Sequence, residues 1–434
     1  MKRVLIITYY WPPCGGAGVQ RWLKFVKYLP HYGWEPVVYT PSNPEMPSVD
    51  ESLAREIPAT AIVIKQPIRE PYNIYKKLVG RKKSDTINPA FLSENRTPPL
   101  TEKISVWIRG NFFIPDARKS WISPSIRYLV NYLKIEPVDA IISTGPPHSM
   151  HLIGLGLKER TGVPWIADFR DLWTKNDYHD QLMLTAYARK KHYVLEQKVL
   201  SGADLCLTIG NTMKKDLIES GAVCAEVITN GFDEEDLLCK DVEMDRKFSI
   251  AHIGTLVKTR NPETLWKILS QLVKENKEFS DSLEIKLIGK LDISVTDSIA
   301  KNGLNEFVRR INYLPHREVM EEMQKSRVLL LLINRTGNAT GILTGKFFEY
   351  LATGRPILLI GPVEGDASAI LKETGSGVTC DFDDAPSLRK IILNLFDLYK
   401  NNRLIGNSEK IGKYSRKELT KQLTGIMTRI SGRN

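Results

Sequence analysis

The stretch RVLLLLINRTGNATGILTGKFFEYLATGRPILLIG, residues 327–361, contains a complete strand–loop–helix–strand unit. Its two apolar runs, VLLLLI and ILLI, are short and uninterrupted, which is typical of strands buried on both faces of a parallel sheet. Between them, GKFFEYLA has apolar residues at helical spacing, and Gly354 follows it at a position where glycine commonly ends a helix. The stretch therefore predicts an α/β architecture with parallel strands.

The same pattern recurs in both directions along the chain. Near the start, the apolar run Val4–Thr8 is followed by a glycine loop, a helical pattern and the strand EPVVYTP. The pattern of a strand followed by a loop continues through VDAIISTGPP, VPWIADFRD and ADLCLTIG. It begins again after VITNGFDEEDL, with FSIAHIGTL and LEIKLIG. We therefore predict two Rossmann-like, doubly wound domains, with the ligand in a crevice between the two halves.

The expected domain limits follow from where this pattern restarts. Residues 1–238 form the predicted N-terminal domain, which includes a less regular, basic insertion at about 42–124. Residues 239–401 form the predicted C-terminal domain. The polar, lysine-rich residues 402–434 predict a helical tail, which we expect to return to the N-terminal domain.

The composition is that of a globular protein with a concentrated positive charge. The 434 residues include 61 Lys and Arg against 50 Asp and Glu, a formal net charge of +11. Eight Trp, 16 Tyr and 13 Phe supply enough apolar surface to exclude disorder as the main state. No apolar run approaches the ~20 residues of a membrane-spanning helix. Residues 65–134 contain 14 basic and five acidic residues, a net charge of +9, which predicts an anionic partner.

Within this basic segment, YNIYKKLVGRKK at residues 72–83 interleaves apolar and basic residues, as an interfacial helix would. An anionic membrane surface is therefore one candidate partner of 65–134, and a solvated basic loop is the alternative. Five widely spaced cysteines without a CxxC pair indicate a reducing compartment, and the start reads as a buried strand rather than a signal peptide. We expect a cytoplasmic protein, either free or peripheral on the inner face of the plasma membrane.

The first half has three groups of candidate site residues, because ligands of open parallel sheets bind beyond the carboxyl ends of the strands. Gly15 and Gly16 lie between a strand and a helix, where backbone amides can approach a phosphate; a tight turn without a ligand is the alternative. His148 follows another strand and is either catalytic or structural. The third group is a cluster of charges at a strand end, each of which needs a partner or water: Asp168, Arg170 and Asp171.

The second half offers a site for a diphosphate. The loop NATGILTG supplies amides and a Thr hydroxyl, and Lys346 opens the helix that follows it. Glu349 lies three residues further on the same helix face, where its carboxylate can accept two hydrogen bonds from a ribose diol; a surface ion pair with Lys346 is the alternative. Arg260, after another strand, is a second candidate cation or a solvated surface residue.

Several kinds of site are excluded because their motifs are absent. No H-E-x-x-H motif and no Cys/His cluster occurs, so we expect no metal and no cofactor. Neither G-x-S-x-G nor G-x-x-x-x-G-K-[ST] occurs. A dinucleotide site has little support, since Arg21 stands where the third glycine of G-x-G-x-x-G belongs. No nucleic-acid-binding module is recognisable, so nucleic acid is not an expected partner.

Taken together, these segments resemble glycosyltransferase family 4 and its relatives with the GT-B fold. The match runs in order over nearly the whole chain. Its pieces are YYWPPCGGAGVQR, ADFRDLW, VITNGFD, HIGTL, YLPHREVMEEM and KFFEYLATGRPIL. The resemblance implies two Rossmann-like domains facing a central crevice. It also implies transfer of a sugar from a nucleotide diphosphate sugar, a co-substrate, to an acceptor, with retention at the anomeric carbon and without a metal.

The resemblance also implies roles for single residues. Glu349 matches the second Glu of the family's E-x7-E motif, which holds the ribose, and Arg260 matches the family's phosphate-binding Lys. The amides from Gly341 to Gly345 would clasp the diphosphate, and those of the first glycine loop would close over it. The expected catalytic residues are Arg260, Lys346 and His148. The expected donor-binding residues are Gly15, Gly16, Gly254, Thr255, Gly341, Ile342, Leu343, Thr344 and Glu349, and the expected acceptor-side residues are Asp168, Arg170 and Asp171.

The chain departs from the family pattern at two positions. Gly341 stands eight residues before Glu349, where the first Glu of the motif belongs, and Thr255 occupies the place of the usual donor-site Arg. We expect Lys346 to restore the lost positive charge. The prediction is a hexosyltransferase that acts on a glycan or lipid-linked acceptor in cell-surface polysaccharide synthesis. A nucleotide-sugar epimerase with the same fold and a non-catalytic nucleotide-sugar-binding relative are the alternatives.

Overall fold

The computed structural model of the protein describes residues 1–70, 100–176, 179, 182–237, 242–312, 314–406 and 410–432. The chain divides into two compact units. The first unit contains Met1–Thr229 and Leu419–Asn434, and the second contains Asn230–Glu418. The first unit therefore ends at Thr229, before the predicted domain limit at 238/239. The chain returns to the first unit at Leu419, which lies within the predicted tail.

The first unit is built on a seven-stranded parallel sheet. Its strands are β1 (Lys2–Ile7), β2 (Trp34–Pro41), β3 (Ile62–Gln66), β4 (Ala140–Gly145), β5 (Trp165–Phe169), β6 (Leu205–Thr208) and β7 (Ala225–Val227). They lie in the order β3-β2-β1-β4-β5-β6-β7, and Val4 of β1 has Pro36 of β2 and Ala140 of β4 as its neighbours. The strand order reverses between β1 and β4, which places the switch point for a ligand at the carboxyl ends of these two strands.

Helices and two apolar cores surround this sheet. The helices that precede the second unit are α1 (Ala17–Tyr28), α2 (Leu100–Phe112), α3 (Lys119–Ile135), α4 (Ser149–Thr161), α5 (Ala186–Gly202) and α6 (Asn211–Glu219). Alternate residues of β1 enter different cores, because successive side chains of a strand point to opposite faces. Leu5 and Ile7 pack in one core, and Val4 and Ile6 pack in the other. The sheet is therefore buried on both faces, as its apolar runs predict.

The described parts of 42–124 are more regular than predicted. It contains β3, which pairs in parallel with β2, and all of α2. The side chains of β3 are half-buried or exposed, so this edge strand lacks the continuous apolar run of the central strands. The early part of 42–124 therefore belongs to the sheet. Residues 72–83, the predicted interfacial helix, lie outside the described residues.

The second unit has a six-stranded parallel sheet. Its strands are β8 (Phe248–Ile253), β9 (Leu283–Ile288), β10 (Val308–Ile311), β11 (Val328–Leu332), β12 (Ile357–Ile360) and β13 (Gly377–Cys380), in the order β10-β9-β8-β11-β12-β13. Its helices are α7 (Glu263–Glu275), α8 (Lys277–Ser282), α9 (Ile293–Lys301), α10 (His316–Lys325), α11 (Gly345–Ala352), α12 (Asp366–Thr374) and α13 (Ala385–Lys400). The two apolar runs of 327–361 are the neighbouring strands β11 and β12. The prediction of two Rossmann-like, doubly wound sheets is confirmed.

The last helix, α14 (Arg416–Ser431), carries the chain back to the first unit. Leu423 and Met427 of this helix are fully buried in the core that also contains Trp22 and Val26 of α1. Short 3-10 turns lie at Leu29–Tyr32, Leu53–Glu56, Glu234–Leu237, Lys258–Arg260, Asn305–Phe307, Ala339–Gly341 and Gly412–Tyr414. Among the helices in the described ranges, none combines the length and the apolar character needed to cross a bilayer.

Candidate functional site

The carboxyl end of β8 is the centre of the candidate site in the second unit. Backbone pairing continues past the strand: Gly254 N–H donates to Ile288 O at 2.6 Å, and Leu256 N–H donates to Lys290 O at 2.9 Å. Gly254 has a φ of +117°, a conformation that side chains rarely adopt. A Cβ at this position would lie 1.5 Å from Lys346 Nζ. The position therefore requires glycine both for its backbone and for the close approach of the ammonium.

Helix α11 brings Lys346 to this strand end. Thr344 caps the helix, since its Oγ1 accepts a hydrogen bond from Phe347 N–H at 3.3 Å. One turn further along, Ile253 N–H donates to the buried hydroxyl of Tyr350 at 3.0 Å. Lys346 and Tyr350 are four residues apart and project from one face of the helix. The hydrogen bond to Tyr350 thus holds the ammonium at the end of β8.

The charges around Lys346 are arranged for an anion. Burial lowers the pKa of Lys346, and Arg260 lowers it further, against the opposite effect of Glu349. Burial raises the pKa of Glu349, against the effects of His316 and Lys346. The Lys346 ammonium is therefore incompletely compensated, and an anionic ligand would stabilise it. The structure brings together three of the predicted donor-side residues: Arg260, Lys346 and Glu349.

His252 is a site residue that the sequence predictions omit. It lies on β8 two residues before Gly254, and its buried ring Nδ1 donates to Leu330 O at 3.1 Å. Because a carbonyl only accepts, Nδ1 carries the proton and Nε2 is an acceptor; Nε2 is buried and has no hydrogen-bond partner among the described residues. Burial lowers the pKa of His252 to about 4, helped by Lys346 and Arg260. A polar residue inside an apolar strand is the only sequence signal for it.

The remaining predicted donor residues differ in their exposure. Leu343 is buried in the core, so only its backbone is available to a ligand. Gly341 and Ile342 are half-buried in the loop before α11, and the side chain of Thr255 is exposed after β8. Their contacts with a donor stay predictions.

In the first unit, Gly15 and Gly16 precede α1 as predicted, yet their surroundings differ. Gly15 N–H donates to Ser48 O at 3.0 Å, so this amide is already bonded within the protein. Gly16 has a φ of +112° and directly precedes the helix, and an added Cβ there would meet no described atom within 4 Å. The first turn of α1 is therefore the part of this loop whose amides can face an anion.

The carboxylate of Asp168 is buried and bonded to other side chains of the first unit. Its side chain is 0% exposed, with Arg21 Nη2 2.9 Å from Oδ1. Trp22 Nε1 and Thr144 Oγ1 donate to Oδ2 at 2.8 and 2.9 Å. Burial would raise the pKa of the Asp168 carboxyl, but Arg21 and Trp22 hold that pKa below its usual value. A carboxylate enclosed in this way has no surface for an acceptor, which corrects its assignment to the acceptor side.

Arg170 and Asp171 lie just past β5 and differ from Asp168. The Arg170 guanidinium donates to Pro146 O, and its Nη1 would be 1.6 Å from a Cβ added to Gly18. The guanidinium therefore packs against the first turn of α1. The side chain of Asp171 is exposed. Both residues have the position that the acceptor-side prediction requires, at the carboxyl end of the sheet, and their role there stays a prediction.

His148 belongs to an aromatic cluster at the start of α4. Its ring stacks on that of Trp173, with centroids 4.7 Å apart and planes at 2°. Within the described part of the chain, its buried Nδ1 has no hydrogen-bond partner. Burial lowers the pKa of His148 well below 6.5, and His151 and His192 add to the effect. The neutral ring can accept a hydrogen bond from a substrate hydroxyl, but it is a weak general base near pH 7.

In the described ranges, no group of three or more His, Cys, Asp or Glu side chains is placed as a set of metal ligands. The candidate ligand-binding groups are Lys346 beside Gly254 in the second unit and the strand-end residues of the first unit.

Comparisons with known proteins identify the fold. Neither a family model nor a curated protein sequence matches the chain. Sucrose-phosphate synthase from Thermosynechococcus elongatus matches with a TM-score of 0.61 at 11% identity, over 100% of both chains. Anabaena HepE, solved in complex with UDP-glucose, matches with a TM-score of 0.58 at 13% identity, over 99% of this chain and 100% of that one.

A third solved structure is WaaG, a glycosyltransferase involved in lipopolysaccharide biosynthesis. It matches with a TM-score of 0.55 at 11% identity, over 98% of this chain and 99% of its own. Identities this low establish the fold alone. Two parallel sheets in series, matched along the full length of GT-B glycosyltransferases, show that this chain has the GT-B fold.

Proposed function

We propose that this protein is a retaining glycosyltransferase that moves a hexose-type sugar from a nucleotide diphosphate sugar to an acceptor without a metal ion. The acceptor in this proposal is a glycan or a lipid-linked molecule in the synthesis of a cell-surface polysaccharide. Two structural neighbours support this class, since HepE was solved with UDP-glucose and WaaG is involved in lipopolysaccharide biosynthesis.

The observation that carries the proposal is the placement of Lys346 against Gly254 at the end of β8, with Arg260 near enough to lower the pKa of Lys346. Sugar transfer breaks the bond between the anomeric carbon and the diphosphate oxygen, so negative charge grows on the leaving diphosphate. Positive groups fixed in advance at that position stabilise the charge in the transition state more than in the bound donor. The amides of the first turn of α11 add to the same effect.

Glu349 supports the nucleoside part of the proposal. Burial raises the pKa of its carboxyl, which means that the ionised form lacks full compensation in the structure. The two hydroxyls of a ribose would donate to the carboxylate and supply that compensation. Because Glu349 and Lys346 share one helix face, a single nucleotide diphosphate could contact both residues.

A thermal-shift screen of the full chain against nucleotide diphosphate sugars tests the donor site. At least one of them should raise Tm, because a ligand of the native state stabilises it. Lys346→Ala should lose most of that shift, whereas Lys372→Ala, an exposed lysine on α12, should keep it. No shift with any nucleotide sugar, or an equal shift in Lys346→Ala, would overturn the donor site.

Turnover then separates the transferase from its alternatives. A transferase releases the nucleoside diphosphate in step with acceptor glycosylation, an epimerase converts the donor without an acceptor, and a binding protein does neither. Arg260→Ala and Lys346→Ala should each lower kcat by about 100-fold or more, the usual effect of removing one group that stabilises transition-state charge. Unchanged turnover in either variant would contradict the assignment.

A further inference from the structure

Two helices of the first unit expose large apolar side chains next to one another. On α2, Trp107 is 41% and Phe112 is 60% exposed, and their rings meet edge to face with centroids 5.8 Å apart. Tyr187, in the first turn of α5, is 72% exposed, and Met183 just before that helix is exposed as well. Exposed apolar residues that cluster in this way mark an interaction surface.

The two helices are fastened to each other at this point. Asn111 Oδ1 accepts hydrogen bonds from the N–H and the hydroxyl of Thr185, both at 2.8 Å, and Asn111 Nδ2 donates to Met183 O at 3.3 Å. Gly110 permits the approach, since a Cβ there would lie 2.7 Å from Leu182 O. The exposed residues of the two helices therefore form one surface.

Helical spacing places basic residues beside the apolar ones. Tyr187, Lys190, Lys191 and Val194 are three or four residues apart along α5, and all four are exposed, whereas Ala188 is buried. On α2, Ile104 and Trp107 are exposed three residues apart. Each helix thus exposes some apolar residues on one of its faces.

The charge of this surface has one sign. Residues 103–113 and 182–195 contain five basic residues and no acidic one. The five are Lys103, Arg109, Arg189, Lys190 and Lys191. Trp and Tyr favour the headgroup region of a bilayer, and neighbouring Lys and Arg are attracted to anionic lipids.

We propose that this apolar-basic surface, formed by Ile104, Trp107, Phe112, Met183 and Tyr187 with the basic residues beside them, binds an anionic lipid bilayer. The surface includes residues 182–195, which lie far along the chain from the basic segment 65–134. Charge complementarity favours a bilayer over a second copy of this chain, because a symmetric dimer would oppose like charges across its interface. The proposal does not depend on the donor site.

Co-sedimentation of the full chain with vesicles tests the apolar part of the surface. The protein should pellet with vesicles of phosphatidylcholine and phosphatidylglycerol, and much less with phosphatidylcholine alone. Trp107→Ser/Phe112→Ser should weaken partitioning roughly tenfold or more, because it removes the inserted apolar groups. The control Val223→Ser/Ile293→Ser changes two apolar residues elsewhere that are even more exposed, at 73% and 72%, and should bind as the wild type does.

A second pair of variants tests the charge. Lys190→Gln/Lys191→Gln should weaken binding to the anionic vesicles roughly 30-fold, and added salt should reduce the difference. Lys274→Gln/Lys301→Gln has the same net charge, with both changes at exposed lysines of the second unit, and should bind normally.

Three results would overturn the proposal. These are an absence of binding to anionic vesicles, an equal loss in the control variants, or a self-association in sedimentation velocity that Trp107→Ser/Phe112→Ser abolishes. The last result would assign the surface to a second copy of the chain. Nucleotide-sugar binding, measured on the same variants by thermal shift, should stay unchanged, so failure of this surface and failure of the donor site can be told apart.

Discussion

The ammonium of Lys346 lies against Cα of Gly254, so closely that a methyl group on that carbon would be 1.5 Å from Nζ. This contact joins the first turn of α11 to the end of β8. It also means that the charge of the candidate donor site depends on the absence of a side chain at one position.

Gly254→Ala should therefore weaken donor binding strongly. The new methyl group must displace the Lys346 side chain, and the φ of +117° becomes strained, at a cost of about 1–3 kcal/mol of stability. Isothermal titration with the donor identified by the screen should show at least a tenfold loss of affinity. Gly303→Ala is a matched control, since Gly303 also has a positive φ but an added Cβ meets no described atom within 4 Å. Equal affinity losses in the two variants would refute the steric explanation.

As the pH rises, donor affinity should begin to fall at a lower pH than it would if a lysine of ordinary pKa bound the diphosphate. The pKa of Lys346 is lowered from 10.5, mainly by burial, so the ammonium that binds the diphosphate is lost as the pH rises through that lowered value. Lys346→Arg keeps its charge throughout this range and should give a flatter profile. Dissociation constants measured between about pH 7 and 10 decide the matter, and identical profiles for the two proteins would exclude Lys346 as the titrating group.

Stability should decline in acid partly through buried histidines. Burial lowers the pKa of His252 to about 4 and that of His151 to about 3, from 6.5. The unfolded chain takes up protons near pH 6.5 while the folded protein does not, so the free energy of unfolding falls as the pH drops from about 6.5 toward 4. His252→Gln should reduce this slope by up to about 1.4 kcal/mol per pH unit.

Urea unfolding at a series of pH values measures that slope. A slope that is the same in His252→Gln and the wild type would show that His252 does not contribute.

The Arg21–Asp168 ion pair should contribute more to stability than to catalysis. Asp168→Asn and Arg21→Met each leave one buried charge or polar group without its partner, which costs about 3–5 kcal/mol. Replacing both residues, as in Arg21→Met/Asp168→Asn, should recover a large part of that loss. Denaturant unfolding of the two single variants and the double variant tests this. Losses that simply add would contradict the coupling.

The fold was predictable because its central strands are continuous apolar runs. Val4–Ile7 and Val328–Leu332 are buried, and each belongs to an interior strand of its sheet. Strand β3 was not predictable in this way. It lies at the edge of its sheet and is only half-buried, so its sequence has no continuous apolar run, and its pairing depends on the tertiary structure.

The candidate site was predictable where its residues follow a predicted strand or share one predicted helix. Lys346 and Glu349 share one loop–helix segment, so their common helix face follows from spacing. Asp168 was misassigned because its partner, Arg21, is 147 residues away, and that pairing exists only in the folded sheet. The sequence does not indicate that His252 Nε2 lacks a hydrogen-bond partner. The surroundings of this atom are formed by elements that pack against β8 only after folding.

Helix α14 has a consequence for the order in which the protein is completed during synthesis. Leu423 and Met427 pack in a core whose members outside α14 all lie between Val4 and Ile228, including Trp22 and Val26. A ribosome must therefore translate all of Asn230–Glu418 before that core can close. At roughly 5–20 residues per second, this leaves an apolar face of the nascent first unit uncovered for on the order of ten seconds or more. The unit that emerges first is the last to be finished, and a chain that stops short of α14 would expose a surface that chaperones bind.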